Sequence, residues 1–124
     1  MLIKEVESNK YKRIIKNVYK EKFVFDEAKV VKKDLIYRYR YNCAGQITNG
    51  TKTINLNDFI EDCKLWLYNL GYKVIEEYNK ISLYTISDIF VVSIESTIDE
   101  NFVPYEKGNF IELINLFIIK YKGE

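Results

Sequence analysis

Apolar residues near the start of the chain recur at the helical spacing i, i+3, i+4, i+7, i+8. This spacing predicts a helix over residues 8–21, because such positions fall on one side of a helix. Its apolar members are Tyr11, Ile14, Ile15, Val18 and Tyr19. Ser8 or Asn9 is placed to cap the helix start. Lys22 would fall on the apolar side, so we expect the helix to end near that residue.

The segment DLIYRYRYN, Asp34 to Asn42, alternates strictly and predicts a strand. Side chains along a strand point alternately to its two faces, so Arg38 and Arg40 share one face. The other face carries Leu35, Tyr37, Tyr39, Tyr41 and Cys43. We expect the tyrosine face to be core, because exposing it would expose Leu35 and Cys43 as well. Further on, Asn49-Gly50 predicts a hairpin turn, since both residues tolerate positive φ.

A second helix is predicted from about Asp58 to Leu70, capped by Asn57 or Asp58 and ended by Gly71. Its apolar stripe is Phe59, Ile60, Cys63, Trp66, Leu67 and Leu70. Leu65 and Tyr68 lie outside this stripe, one turn apart. Two such residues on a polar helix face form a small docking patch, or another element covers them.

The last third of the chain predicts three strands and a helix. The strands are KVIEEY, ISLYTI and DIFVVSIES, with turns at Asn79-Lys80 and Ser87-Asp88. A polar loop from Thr97 to Lys107 contains the only proline, Pro104. The final helix starts at Asn109, whose Asn-x-x-Glu pattern indicates a cap. That helix is apolar on most sides, so we expect it to lie buried across a sheet face.

The order α-β-β-α-β-β-β-α predicts an α+β fold with a mainly antiparallel sheet of about five strands and two or three helices packed on it. No linker or repeat interrupts the 124 residues, which indicates one domain over residues 1–124. No apolar run is long enough to span a bilayer, and no signal core begins the chain. We therefore expect a cytoplasmic protein without a membrane partner.

Composition removes several kinds of chemistry. There are no histidines, which excludes His-based acid–base and nucleophile activation and most zinc sites. Cys43 and Cys63 are too few for a disulfide framework, and their apolar neighbours suggest inert core thiols. Glycine-rich phosphate loops are absent. Asp58, Glu61 and Asp62 could hold Mg²⁺, but acidic residues also collect at helix N-termini because the helix dipole favours them. We expect no cofactor, no bound metal and no enzymatic activity.

Charge is distributed unevenly although the net charge is only +1. Residues 1–33 hold ten Lys/Arg and five Asp/Glu, a net of +5. Within them Lys12, Arg13, Lys16 and Lys20 form a basic helix side, either a nucleic-acid contact or a solvated face. Arg38 and Arg40 are two of only three arginines, and their planar guanidinium groups suit carboxylate or phosphate. The alternative is cross-strand pairing with acids such as Glu76 or Glu95.

The segment NLNDFIEDCKLWLYNLGYKV resembles a stretch found in small proteins of phages and mobile elements. Shared features are Cys63-Lys64, Trp66 and Gly71-Tyr72, whereas Leu67 replaces the alanine expected beside the tryptophan. The resemblance implies a mobile-element origin. Small non-catalytic proteins of that origin, such as anti-CRISPR proteins, often bind and block a host defence enzyme.

These observations predict a non-catalytic binding protein that blocks a larger protein or ribonucleoprotein of the host. Its predicted contact residues are Arg38, Arg40, Leu65 and Tyr68. One alternative is a nucleic-acid-binding accessory protein that uses Lys12, Arg13, Lys16 and Lys20. Others are a toxin-neutralising immunity protein, or a Mg²⁺ enzyme using Asp58 and Asp62.

Overall fold

The computed structural model contains helices and antiparallel strands in the order α-β-β-β-α-β-β-β-α, an α+β fold. Its backbone is described over residues 3–20, 24–77, 80–95 and 105–122, and its side chains over residues 8–20, 27–40, 44–77, 80–95 and 110–120. The chain divides into two compact units, residues 1–59 and 60–124. A single domain over residues 1–124 stays a prediction.

The first unit contains a helix followed by a three-stranded antiparallel sheet. Its elements are α1 (Ile3–Tyr19), β1 (Val24–Val31), β2 (Asp34–Cys43) and β3 (Gln46–Asn55). The strand order is β1-β2-β3, so β2 is the central strand. The register of β1 against β2 shifts between Phe25 and Glu27, whereas β2 and β3 pair without interruption.

The hairpin turn between β2 and β3 lies at Ala44-Gly45, and the predicted turn at Asn49-Gly50 is wrong. Ala44 has a φ of 54° and Gly45 a φ of 84°, the two positive values that a type I′ turn requires. Closing the hairpin here pairs all ten residues of each strand. A turn at Asn49-Gly50 would leave only the five residues 51–55 for pairing before the next helix.

The core of the first unit lies where α1 packs against β1. The stripe predicted for α1 is confirmed, because Ile14 and Ile15 are fully buried. The rings of Tyr11 and Tyr19 lie 6.4 and 6.3 Å from that of Phe59, measured between centroids. Further buried side chains are Ala28, Leu35, Tyr37 and Leu56.

Ser8 joins α1 to the edge of the sheet and does not cap the helix. The helix begins at Ile3, five residues before the predicted start at Ser8. The Ser8 Oγ accepts a hydrogen bond from the Ala28 N–H at 3.0 Å. An edge strand needs partners for its outward N–H groups, and Ser8 supplies one of them.

Helix α2, Leu56–Asn69, begins in the first unit and continues into the second. Its cap is Asn55, the last residue of β3, and not the predicted Asn57 or Asp58. The Asn55 Oδ1 accepts hydrogen bonds from the N–H groups of Asn57 at 2.9 Å and Asp58 at 3.4 Å. Gly71 follows the helix with a φ of 97°, as predicted for its C-terminal end.

The second unit contains a second three-stranded antiparallel sheet and helix α3. Its elements are β4 (Tyr72–Glu77), β5 (Lys80–Thr85), β6 (Phe90–Glu95) and α3 (Tyr105–Lys122). The strand order is β4-β5-β6, and α3 packs against β5 and β6. The predicted burial of α3 is confirmed by Phe110, Ile111, Leu113, Ile114, Phe117 and Ile118. The helix begins at Tyr105, so Asn109 lies inside it and is not its cap.

Two three-stranded sheets stand in place of the single sheet of about five strands that the sequence predicted. β1 does not occur in the predicted order of elements, and α2 interrupts the strand sequence after β3. Asn79, most of the predicted loop from Thr97 to Lys107, and the side chains of Tyr41, Cys43 and Asn109 lie outside the described residues. Among described helices, none has the length and hydropathy to cross a membrane.

Candidate functional site: the arginine face and the α2–β4 groove

The orientation predicted for β2 is confirmed over its described side chains. Leu35 and Tyr37 are buried at 0% and 1% exposure, whereas the Arg38 side chain is 61% exposed. Arg40 is exposed too, and Tyr39 is half-buried. The guanidinium-bearing side chains therefore point away from the core, as alternation along a strand requires.

Arg38 and Arg40 share their side of the hairpin with Thr51 and Asn49, because Arg38 pairs with Thr51 and Arg40 with Asn49 across the ladder. We call these four residues the arginine face. Together with Tyr39 and Gly50 they line a concavity of about 470 Å³. The arginines stand about 7 Å apart, two residues along one strand. Two guanidinium groups, an amide and a hydroxyl around one concavity suit the binding of oxyanions.

Arg38 has an acidic neighbour on the adjacent strand, but it is neither Glu76 nor Glu95. The Arg38 Nη2 lies 3.1 Å from the Glu27 Oε2, and Glu27 is the partner of Arg38 in the β1–β2 register. Exposed pairs of this kind contribute about 0–1 kcal/mol, because water screens them. The pair therefore orients Arg38 while leaving most of its side chain in water.

The Tyr39 side chain lies on the opposite face of β2 from Arg38 and Arg40. Its ring lies over Gly50, where an added Cβ would come within 2.8 Å of the ring's Cε2. The Tyr37 and Tyr39 ring centroids are 6.3 Å apart, and the Lys52 Nζ lies 5.9 Å from the Tyr39 centroid. The close approach of a ring, rather than a turn, therefore favours glycine at position 50.

Leu65 and Tyr68 are exposed at 60% and 61%, which confirms that they lie outside the buried stripe of α2. They line a groove of about 570 Å³, which we call the α2–β4 groove, together with Tyr72 and Val74 of β4. The remaining lining residues are Glu61, Lys64, Lys73 and Glu76. The sequence thus located Leu65 and Tyr68 but not the β4 residues Lys73, Val74 and Glu76 that complete the groove.

Lys64 connects the two sides of the α2–β4 groove. Its Nζ lies 2.9 Å from the Glu76 Oε1 and 3.7 Å from the Glu61 Oε1. Burial opposes the charge on Lys64, but the hydrogen bond and charge of Glu76, together with Glu61, outweigh it and raise the pKa of Lys64. The bridge therefore holds a charged ammonium group between helix and strand.

The basic side predicted on α1 is only partly presented to solvent. Lys16 is exposed, while Lys12 and Arg13 are half-buried. Lys20 is exposed but lies beyond the last helical residue, Tyr19, with a φ of 53°. The four cations therefore do not form one continuous helical row.

The carboxylate and thiol candidates also have definite positions. Asp58, Glu61 and Asp62 are exposed on the first turns of α2, and within the described ranges no three metal-ligating side chains converge. Cys63 is fully buried. Its burial, with a smaller contribution from the Asp62 charge, raises the pKa of its thiol far above the usual range. A buried neutral thiol is a poor nucleophile, in agreement with a core role.

In comparisons with known proteins, no family model, no curated protein and no solved structure matches the chain.

Proposed function

We propose that this protein is a non-catalytic binding protein that blocks a larger protein or ribonucleoprotein, in the manner of a phage-encoded anti-CRISPR inhibitor. The observation that carries the proposal is the arginine face, where Arg38 and Arg40 flank a concavity on an exposed strand pair. Arginine is the side chain best suited to bidentate contacts with carboxylate or phosphate at an interface.

The distribution of charge between the two units also supports the arginine face as the contact surface. Residues 1–59 hold thirteen Lys/Arg and seven Asp/Glu, a net of +6, while residues 60–124 hold six and eleven, a net of −5. The arginine face belongs to the cationic unit. A partner that presents acidic groups would be attracted to it and oriented by it.

The α2–β4 groove supplies a second contact of different chemistry. Leu65, Tyr68 and Tyr72 offer apolar and aromatic surface beside the charged Lys64–Glu76 pair. Aromatic residues within partly enclosed apolar surfaces often provide much of the binding energy at protein interfaces.

The test compares two double variants of equal charge. Arg38→Glu with Arg40→Glu should abolish capture of the partner from source cells, because both guanidinium groups become carboxylates. Lys16→Glu with Lys20→Glu changes net charge by the same amount at the end of α1 and in the residue that follows it, and should retain capture. Unchanged thermal unfolding in both variants excludes misfolding as the cause. Capture that survives in the arginine variant would remove the arginine face from the function.

Nucleic-acid binding is the second candidate, because Lys16 and Lys20 are exposed on the cationic unit. Phosphate contacts release counterions, so affinity for RNA or DNA should fall steeply with salt. Under this alternative the lysine variant loses binding and the arginine variant keeps it. A flat salt response, or no gel shift at low salt, discards it.

A further inference from the structure

β3 is the last strand of its sheet, at an edge that no described strand covers. It spans the ten residues Gln46–Asn55, of which seven are exposed and none is buried. It pairs with β2 on one side, and no described strand lies on the other. Such an edge presents a row of main-chain N–H and C=O groups that another strand can pair with.

Most of the usual protections of an edge strand are missing from β3. It contains no proline, its register with β2 has no bulge, and its single charged residue is Lys52. The opposite edge of the same sheet is protected, because α1 packs on β1 and Ser8 accepts the Ala28 N–H. Only one edge of this sheet is therefore closed within the described residues.

The hairpin register identifies the outward main-chain groups of β3. A two-residue turn makes Cys43 and Gln46 a hydrogen-bonded pair, and the ladder alternates from there. Asn49, Thr51 and Thr53 then fall in non-hydrogen-bonded pairs, with N–H and C=O directed away from β2. The Ala28 N–H, directed away from β2 towards Ser8, agrees with the same alternation.

Asn49 and Thr51 belong to the arginine face, so an added strand would run beside Arg38 and Arg40. Every second side chain of that strand would lie on the arginine side, at a spacing of about 7 Å. The two arginines have the same spacing. Acidic residues at alternate positions would therefore meet them in register.

We propose that β3 accepts an extended acidic segment of a partner protein as a fourth strand of the sheet, a mode known as β-strand addition. The inference rests on the proposed binding function and names the chemistry of its partner. A second copy is disfavoured because residues 1–59 carry a net charge of +6, so two such units would repel each other. Nucleic acid is disfavoured because it has no ladder of alternating amide N–H and C=O groups.

The experiment is an NMR titration of the full chain with two synthetic heptapeptides, one alternating Glu and Val, the other alternating Lys and Val. We expect the Glu peptide at millimolar concentration to shift the amide signals of Asn49, Thr51 and Thr53 saturably. The Lys peptide should bind at least tenfold more weakly. No β3 shift with the Glu peptide, or equal binding of both peptides, overturns the proposal.

Two variants of one position separate main-chain pairing from side-chain contact. Thr51→Pro removes an outward N–H and should weaken Glu-peptide binding at least tenfold, while an edge position tolerates proline. Thr51→Val keeps the N–H and the β-branched shape but removes the hydroxyl of the arginine face, so it should weaken Glu-peptide binding much less than Thr51→Pro does. Equal binding by the two variants contradicts strand addition. The titration of the unaltered chain remains decisive even where Thr51→Pro does not fold.

Binding of a different partner at the β3 edge would give a different NMR result. β3 shifts that depend on protein concentration without peptide would assign the edge to a second copy. β3 shifts with a uridine oligonucleotide, in the absence of any with the Glu peptide, would assign it to nucleic acid; either result overturns the proposal. If Thr51→Pro retains partner capture while the Arg38/Arg40 variant loses it, strand addition is wrong and the proposed binding function stands.

Discussion

The ring of Tyr39 covers Gly50, its partner across the β2–β3 ladder, so closely that a side chain at position 50 would displace the ring. A glycine inside a strand weakens it, because backbone is exposed and nothing packs there. An aromatic ring laid over that glycine restores cover. Tyr39 and Gly50 also line the concavity that Arg38 and Arg40 flank.

Gly50→Ala should therefore destabilise the protein. The added methyl group overlaps the Tyr39 ring, which must leave its position or strain the ladder, at a cost of about 1–3 kcal/mol. Chemical denaturation measures the loss. In a Tyr39→Ala background the same substitution should cost much less, and equal costs in the two backgrounds would show that the ring is not the obstacle.

Leu65 and Leu67 are a matched pair on α2, with exposures of 60% and 0%. Leu67→Ala should lower the free energy of unfolding by about 2–5 kcal/mol, because it leaves a cavity in the core. Leu65→Ala should change it by less than about 0.5 kcal/mol, as is usual at exposed positions. Thermal or urea unfolding of both variants checks this. Similar losses in the two would mean that the buried side of α2 has been misassigned.

Lys64 should contribute stability that depends on pH in the alkaline range. Its pKa is raised above the ordinary 10.5 in the folded chain, so its contribution is fully present below pH 10.5. It is lost as the pH rises through the folded pKa. The stability difference between the natural chain and Lys64→Met should thus be constant from neutral pH to 10.5 and shrink above it. A difference that grows with alkaline pH would mean that the pKa is lowered instead.

Ser82, on the central strand β5, is 1% exposed, and its Oγ has no hydrogen-bond partner among the described residues. Leaving such a group unsatisfied costs about 1–3 kcal/mol. Ser82→Ala should therefore leave stability unchanged or raise it by about 1 kcal/mol, as measured by urea denaturation. Ser93→Ala, at the cross-strand partner, is the control and should not stabilise. Clear destabilisation by Ser82→Ala would indicate that the hydroxyl has a partner.

Local patterns located most elements correctly, because periodicity depends on which side chains must leave water. The alternation around Arg38 placed Leu35 and Tyr37 in the core, and the stripe of α2 separated Leu67 from Leu65. Patterns failed where two local signals competed. Asn49-Gly50 carries the stronger turn signal, but the turn lies at Ala44-Gly45, where it allows the longer ladder.

The charged partners of the candidate site were not readable from the sequence. Glu27 meets Arg38 because β1 pairs with β2 at that register, and Glu76 meets Lys64 because β4 lies beside α2. Recognising β1 as a strand would have placed Glu27 beside the arginines. For the Lys64–Glu76 pair no local signal exists, since Glu76 lies twelve positions after Lys64, whereas Glu61 lies only three positions before it.

The sequence by itself determined which residues avoid water, and with them the helices, most strands, the exposed arginines and the exclusion of histidine chemistry. These follow from side-chain type and spacing alone. The tertiary structure decided which strands became neighbours, that two sheets form, that Tyr39 covers Gly50 and that β3 is left as an edge. Such outcomes depend on pairings between segments distant in the chain, where the free energy of a whole ladder outweighs the preference of any single turn.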